Sequence, residues 1–330
     1  MKAIIPVAGA GTRLRPHTYT QPKALIPVGG KTILAFILDA LIEAGVTEFV
    51  IVIGYLGEKI KSYVEKKYPN QQFTFVEQTQ REGLGEAIWL TKPCVKKEEE
   101  IIIVLGDTVL DLNWKEIIQL PGNLLAVKKV DDPRGFGLAE VDDQLNIIRV
   151  VEKPSIPKSN MALVGLYKIA SSSILFDCLE ANIKNNIRTK EEFHLTDGLQ
   201  CMIEKQIHFK AYKVNNWFDC GKKDVLLETS SLLLKKAGSQ LHDQQFENTI
   251  INPPVYIGPN CTIKNALIGP NVAIGEGTSI KNSILRDSII GDFTRLEEVV
   301  LHQSVVGSDA FIKGTSQSLN IGDNTEIDLS

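Results

Sequence analysis

The sequence predicts an α/β domain with a mixed, mostly parallel sheet, followed by a short β-helix of hexapeptide repeats. Three observations carry that expectation. Through residue 107 short apolar runs alternate with segments of helical periodicity, the pattern of strands joined by crossover helices. From about residue 134 the texture turns to mixed α+β. From residue 251 onward aliphatic side chains recur at steps of five or six residues.

The elements follow in order. Residues 2–8 (KAIIPVA) read as a strand that runs into a glycine-rich turn, and 32–45 as a helix stopped by Gly45. Residues 48–54 are a buried strand, 58–68 an amphipathic helix, 72–78 a strand and 85–92 a helix. EIIIVLGD (100–107) is a strand with an aspartate at its C-terminal end, the end of such sheets where ligands bind. Residues 135–154 read as two strands around a turn, 162–169 as a strand, 193–205 as a helix, 208–214 as a strand and 224–238 as a helix. The repeat positions are Ile251, Ile257, Ile263, Ile268, Ile274, Ile280, Leu285, Ile290, Leu296, Leu301, Val306 and Ile312. With roughly eighteen residues per triangular coil, the span predicts about three or four coils. The expected division is 1–238, a linker at 239–247, and a β-helix at 248–330.

At 330 residues and 43% hydrophobic content the chain can bury a substantial core. A net charge of −4 without a basic stripe argues against nucleic acid. Five scattered cysteines without C-x-x-C spacing read as reduced thiols. Met1-Lys2 leads directly into a strand, and no apolar run approaches membrane-spanning length, so a cytoplasmic protein without membrane contact is expected.

The stretch GAGTRLRPHTYTQPKALIPVGGKT (9–32) suits phosphate but fits neither familiar template. A dinucleotide-binding turn needs a third glycine where Leu14 stands. A P-loop needs one at Leu25, and Pro27 removes a backbone N–H that should cradle phosphate.

The same stretch resembles the loop of sugar-1-phosphate nucleotidylyltransferases, G-x-G-T-R-L-x-P-x-T…P-K. Gly9, Gly11, Thr12, Arg13, Leu14, Pro16, Thr18, Pro22 and Lys23 match it. EGLGEA (82–87), GD (106–107), GFG (135–137), EKP (152–154), GLY (165–167) and WFDCG (217–221) follow in family order. The resemblance covers roughly residues 1–235 and is strongest to glucose-1-phosphate thymidylyl- and uridylyltransferases that carry a β-helix. It implies a Rossmann-like catalytic domain, a left-handed β-helix, a nucleoside triphosphate and a sugar-1-phosphate as substrates, and Mg²⁺. By the resemblance, Arg13 holds the triphosphate, Lys23 sits near the α-phosphate and Lys153 holds the sugar phosphate. Ala8, Gly9, Gly11, Thr12, Gln78 and Gly83 contact the nucleotide. Gly137, Glu152 and Gly165 contact the sugar, and Asp107 and Asp219 are the metal ligands.

The residue types suit that chemistry. Two polyanions must approach each other, so positive charge is needed around the reacting phosphorus. Mg²⁺ takes one or two carboxylates and completes its shell with phosphate and water. The incoming sugar phosphate is already an anion, so neither His194 nor Cys220 need be catalytic. His194 is expected at a helix entry or in packing, and Cys220 to be a bystander beside Asp219. Two departures from the family, Thr108 after Asp107 and PVAG at 6–9, leave the sugar and the nucleotide open, UTP or dTTP being favoured. An acyltransferase function for the β-helix would rest on His302, the one histidine in 248–330. A non-catalytic sensor of nucleotide sugars is the other alternative. The tail is expected to serve contacts between subunits of a homo-oligomer.

Overall fold

The computed structural model of the chain describes residues 1–241, 246–314 and 319–329. They group into two compact units, Met1–Gly9 with Ile37–Trp217, and Ala10–Phe36 with Phe218–Ser330. Part of the expected linker, 242–245, lies outside the described residues.

The first unit is built on a nine-stranded sheet. Strands β1 (Lys2–Pro6), β2 (Glu48–Ile53), β3 (Gln72–Glu77) and β4 (Ile101–Val104) run parallel in the order β3-β2-β1-β4. The others are β5 (Asn123–Lys129), β6 (Gly137–Val141), β7 (Ile147–Glu152), β8 (Met161–Ile169) and β9 (Phe209–Lys213). β8 lies antiparallel to β4, β5 and β6, β7 pairs antiparallel with β6, and β9 closes parallel on β5. The inner parallel strands β1, β2 and β4 are rich in Ile and Val because both sheet faces are covered there, whereas the edge strand β3 is partly exposed. On one face Ile4, Val50 and Ile103 share a core with Leu175, Leu179, Leu195 and Leu199. On the other Ala3, Ile5, Ile51 and Ile102 are equally buried.

The helices are α1 (Ile33–Glu43), α2 (Gly57–Lys67), α3 (Leu84–Trp89), α4 (Trp114–Gln119), α5 (Ser172–Lys184), α6 (Leu195–Glu204) and α7 (Lys223–Ala237). Two expected elements are shorter in the structure. The strand over 100–107 ends at Val104, where Leu105 N–H turns to Gly165 C=O at 2.9 Å. The helix over 85–92 ends at Trp89, ahead of a separate turn, Lys92–Cys94, that contains Pro93.

The second unit holds the coil. Its strands form three parallel sheets of four, five and five strands, consistent with a left-handed β-helix. In register, Ile251, Ile268, Leu285 and Leu301 stack in one sheet, and Ile257, Ile274, Ile290, Val306 and Ile321 in the second. Ile263, Ile280, Leu296, Ile312 and Ile327 stack in the third. From Ile257 through Ile312 every repeat position is at most 3% exposed. The coils are tighter than expected, with partners 17 residues apart at first (Ile257↔Ile274), then 16 (Ile274↔Ile290), then 15 (Val306↔Ile321). The same span therefore holds more than four coils.

Corners account for the economy. Most corners hold a residue of left-handed φ, as at Asn248, Asn265, Asn282 and Glu298 (47°, 52°, 49° and 59°). Asparagine tolerates that region better than other side chains with a Cβ. Here it also gains a ladder, since Asn248 Nδ2 donates to Asn265 Oδ1 and Asn265 Nδ2 to Asn282 Oδ1, both at 3.0 Å. Replacing Asn282 with Val removes both supports and should cost about 1–2 kcal/mol in chemical denaturation, whereas Asn282→Gly should cost less. Equal losses would show that the ladder, not the backbone, carries the corner.

Helix α7 packs on the coil strand Val272–Ile274 and on the short strand Pro27–Val28 within the same unit. Residues 10–36 are thus held by the C-terminal part of the chain.

Candidate active site

The phosphate-type loop consists of three single turns, Thr12–Leu14, His17–Tyr19 and Lys23–Leu25. The first and last aim Arg13 and Lys23 at one carboxylate. Arg13 Nη2 is 3.9 Å from Asp219 Oδ2, and Lys23 Nζ is 3.7 Å from Asp219 Oδ1. Two glycines make this possible. Gly11 has φ +60°, and a Cβ there would press within 3.0 Å of Lys23 Cβ and Thr18 Cγ2. A Cβ on Gly221 would stand 2.8 Å from Arg13 Nη2, so the bare backbone leaves room for the guanidinium. Thr18, 1% exposed, donates its hydroxyl to Gly11 C=O at 2.9 Å and locks the first turn. Thr12 stands exposed at the loop tip. Cys220 is buried, its thiol 3.7 Å from Thr229 Oγ1.

The middle turn is anchored elsewhere in the unit. His17 is buried, with Nε2 2.7 Å from Asn320 Oδ1, and Thr20 donates its hydroxyl to Asp323 Oδ2. Burial lowers the His17 pKa, opposed by the Asn320 hydrogen bond and the Asp323 charge.

The remaining expected residues lie in the other unit. Beyond β4, Gly106 allows close passage over Val7, whose Cγ1 would be 2.1 Å from any Cβ. Asp107 follows, with the Thr108 hydroxyl 3.4 Å from its Oδ1. Glu152, at the end of β7, accepts the Thr196 hydroxyl at 2.7 Å and pairs with Lys153 Nζ at 3.2 Å. His194 Nδ1 lies 3.6 Å from the same carboxylate. Gly137 leaves space for it, since a Cβ there would reach Glu152 Oε2 at 3.0 Å. Lys153 has φ 38°, a strained backbone of the kind that gathers at functional sites. Tyr167 is buried, and burial followed by the Glu152 and Asp107 charges drives its phenol far above the usual range. Both carboxylates therefore act on one phenol. Gly165, at φ +87°, accommodates Leu105, which a Cβ would meet at 2.9 Å.

Gln78 is 7% exposed, and its Nε2 donates to Glu86 Oε2 at 2.6 Å and to Gly83 C=O at 3.0 Å. Both amide hydrogens are thereby used. Gly83, at φ +121°, sits against Phe193 C=O, 2.4 Å from where a Cβ would be. Ala8 is buried and its carbonyl accepts Tyr55 N–H at 3.2 Å, while Gly9 is open on all sides.

Sequence reasoning gave no role to Glu86, Thr18, Thr196 or Asp197. Glu86 and Thr18 lie inside quoted motifs, but only the fold shows what they hold. His194 does enter α6, as expected, yet its ring also faces Glu152. Its Nε2, Asp197 Oδ2 and Trp217 Nε1 are buried without a hydrogen-bond partner. Burial raises the Asp197 pKa, against the pull of a Thr189 hydrogen bond. Among the described residues no three His, Cys, Asp or Glu side chains gather as a metal cluster. No helix among them is long and apolar enough to cross a membrane.

The Nucleotidyl transferase family profile matches residues 2–236. The chain belongs to that family. It is 34% identical over 258 residues to the bifunctional protein GlmU of Methanocaldococcus jannaschii, covering 78% of this chain and 60% of that protein. The chain thus spans about three fifths of that relative's length. It is 31% identical to the low-salt glycan biosynthesis nucleotidyltransferase Agl11 of Haloferax volcanii, over 76% of this chain and 72% of Agl11. Among solved structures it resembles a UDP-glucose pyrophosphorylase complexed with UDP-glucose, with a TM-score of 0.62, 25% identity, and 71% of this chain and 98% of that one covered.

The histidine in the middle turn gives a pH test. With its folded pKa below the ordinary 6.5, His17 takes up a proton more readily in the unfolded chain. Its contribution is complete above about pH 6.5 and is lost as pH falls from there through the folded value. Melting temperatures between pH 7.5 and 5 should show this loss in the native chain and a shallower one in His17→Gln. Identical slopes would contradict it.

Proposed function

We propose that the chain transfers a nucleotidyl group from a nucleoside triphosphate, UTP or dTTP, to a hexose-1-phosphate, glucose-1-phosphate being favoured. The observation that carries this reading is the loop that aims Arg13 and Lys23 at Asp219 across a glycine backbone. An oxygen of the sugar phosphate bonds to the α-phosphorus as the bond from that phosphorus to the α,β-bridging oxygen breaks. Pyrophosphate leaves with the electron pair, and no protein proton is required. Arg13 binds the departing phosphates by its planar fork, and Lys23 acts as a point charge nearby. Lys153 takes the sugar phosphate and Glu152 accepts hydrogen bonds from sugar hydroxyls. The partnerless atoms of His194, Asp197 and Trp217 suit a polyhydroxylated ligand, since buried polar atoms are otherwise paired.

Asp107 and Asp219 would hold Mg²⁺. Carboxylates are hard oxygen ligands, and Mg²⁺ takes most of its remaining shell from phosphate and water. When bound, Mg²⁺ neutralises developing phosphate charge.

Gln78 supports a pyrimidine with an N3–H. Its Nε2 is committed to Glu86 and Gly83, so Oε1 remains to accept. Uracil and thymine offer that donor, whereas cytosine presents an acceptor there. The β-helix would join copies of the chain in a homo-oligomer. A second reading, acyl transfer on the coil, is favoured by a Sulfurisphaera tokodaii relative, 32% identical over 71% of this chain and 56% of its own length, that is named a bifunctional sugar-1-phosphate nucleotidylyltransferase/acetyltransferase. It would rest on His302, which is exposed.

Pyrophosphate release with Mg²⁺, over five nucleoside triphosphates and several sugar-1-phosphates, tests the proposal. UTP or dTTP with glucose-1-phosphate should be productive. Asp107→Asn should lower kcat by about a hundredfold or more. Lys153→Ala should raise KM for the sugar phosphate, and Glu86→Leu should weaken discrimination against CTP. Silence across the whole grid would refute the transferase reading.

A further inference from the structure

The triphosphate loop has no sheet or helix of its own length to stiffen it, yet its two cations must be held to within a fraction of an ångström to act. Its root is fixed to nearby elements. Gly29 N–H donates to Ser230 Oγ at 3.1 Å, and Gly30 lies so close to the Tyr256 ring that a Cβ would fall 2.4 Å from it. The turn His17–Tyr19, between Arg13 and Lys23, is held differently. Side chains tie it to the coil, His17 to Asn320 and Thr20, just after the turn, to Asp323, each across 303 residues of sequence.

We propose that Asn320 and Asp323, on the last described coil, are positioning residues that set the spacing of Arg13 and Lys23 through the middle turn of the loop. This rests on reading the loop as the triphosphate site. The coil is a suitable brace because its groups are themselves fixed. Asn320 sits on a strand, in register with Val305 of the preceding coil. Asp323 Oδ1 accepts Ser308 N–H at 2.8 Å, which leaves Oδ2 for Thr20. Gly322 lets Pro16 approach, which would stand 3.3 Å from a Cβ at that position. The bond to Asn320 needs His17 Nε2 as a donor, and the ring is buried, so water cannot easily replace the lost partner.

Full-length Asn320→Leu and Asn320→Asp separate the brace from general stability. Asn320→Leu should raise KM for the nucleotide about three- to tenfold, the loss of one hydrogen bond. KM for the sugar phosphate should not move, and the melting temperature should fall by no more than the few degrees that one buried hydrogen bond accounts for. Asn320→Asp keeps an oxygen acceptor and should recover most of the loss. Amide hydrogen exchange over residues 11–23 should quicken in Asn320→Leu and return toward native in Asn320→Asp. Unchanged exchange in Asn320→Leu would overturn the proposal. So would faster exchange with an unchanged nucleotide KM, or a matched rise in both KM values with a lower melting temperature. Should the native chain transfer no nucleotide at all, the function reading fails, and the exchange comparison still decides whether Asn320 holds the loop.

Discussion

On the proposed reading, two cations that receive a polyphosphate have to stand close together before it arrives. Asp219 meets that constraint by taking Arg13 on one oxygen and Lys23 on the other. Much of the local design follows from it. The bare backbone of Gly221 leaves room for the guanidinium beside it, and Gly11 turns left-handed next to the Lys23 stem. Arg13 is well exposed and its attraction is screened by solvent, so the arrangement guides geometry more than it adds stability. An incoming anion can exchange with the carboxylate without the side chains first being gathered.

The two halves of the chain were legible to different degrees. Core positions of the coil were readable because an aliphatic side chain every five or six residues has no other economical use, and those from Ile257 to Ile312 are buried. The inner parallel strands were readable because burial on both faces leaves little but Ile and Val. β5 and α5 were not, since NLLAVKK and SSILFDCLEANIK mix polar and apolar residues without a clean period. The motifs named Arg13, Lys23 and Glu152, but not the partners that orient them. Thr196 and Thr18 look like any other threonine until the fold sets one against Glu152 and the other against Gly11. The number of coils was underestimated because the corners, built on left-handed Asn and Asp, use fewer residues than a regular triangle.

Regular and irregular structure divide the work within the C-terminal unit. The coil repeats one interaction many times and is stiff for that reason. The loop repeats nothing, and its shape is dictated by a few contacts to α7, Tyr256 and the coil. Such a loop can thus vary in sequence at exposed positions outside its motif, such as Arg15, while its anchors are supplied from a lattice of strands.

The graded coil lengths also bear on how such a chain can change over generations. A residue inserted within a strand would turn every later inward side chain of that strand outward. A residue gained or lost at a corner shifts no strand face, and successive spacings of 17, 16 and 15 residues coexist here over one continuous aliphatic stack. Corners are therefore where insertions and deletions are tolerated, and the tail can grow, shrink or acquire loops there without disturbing the rungs above and below.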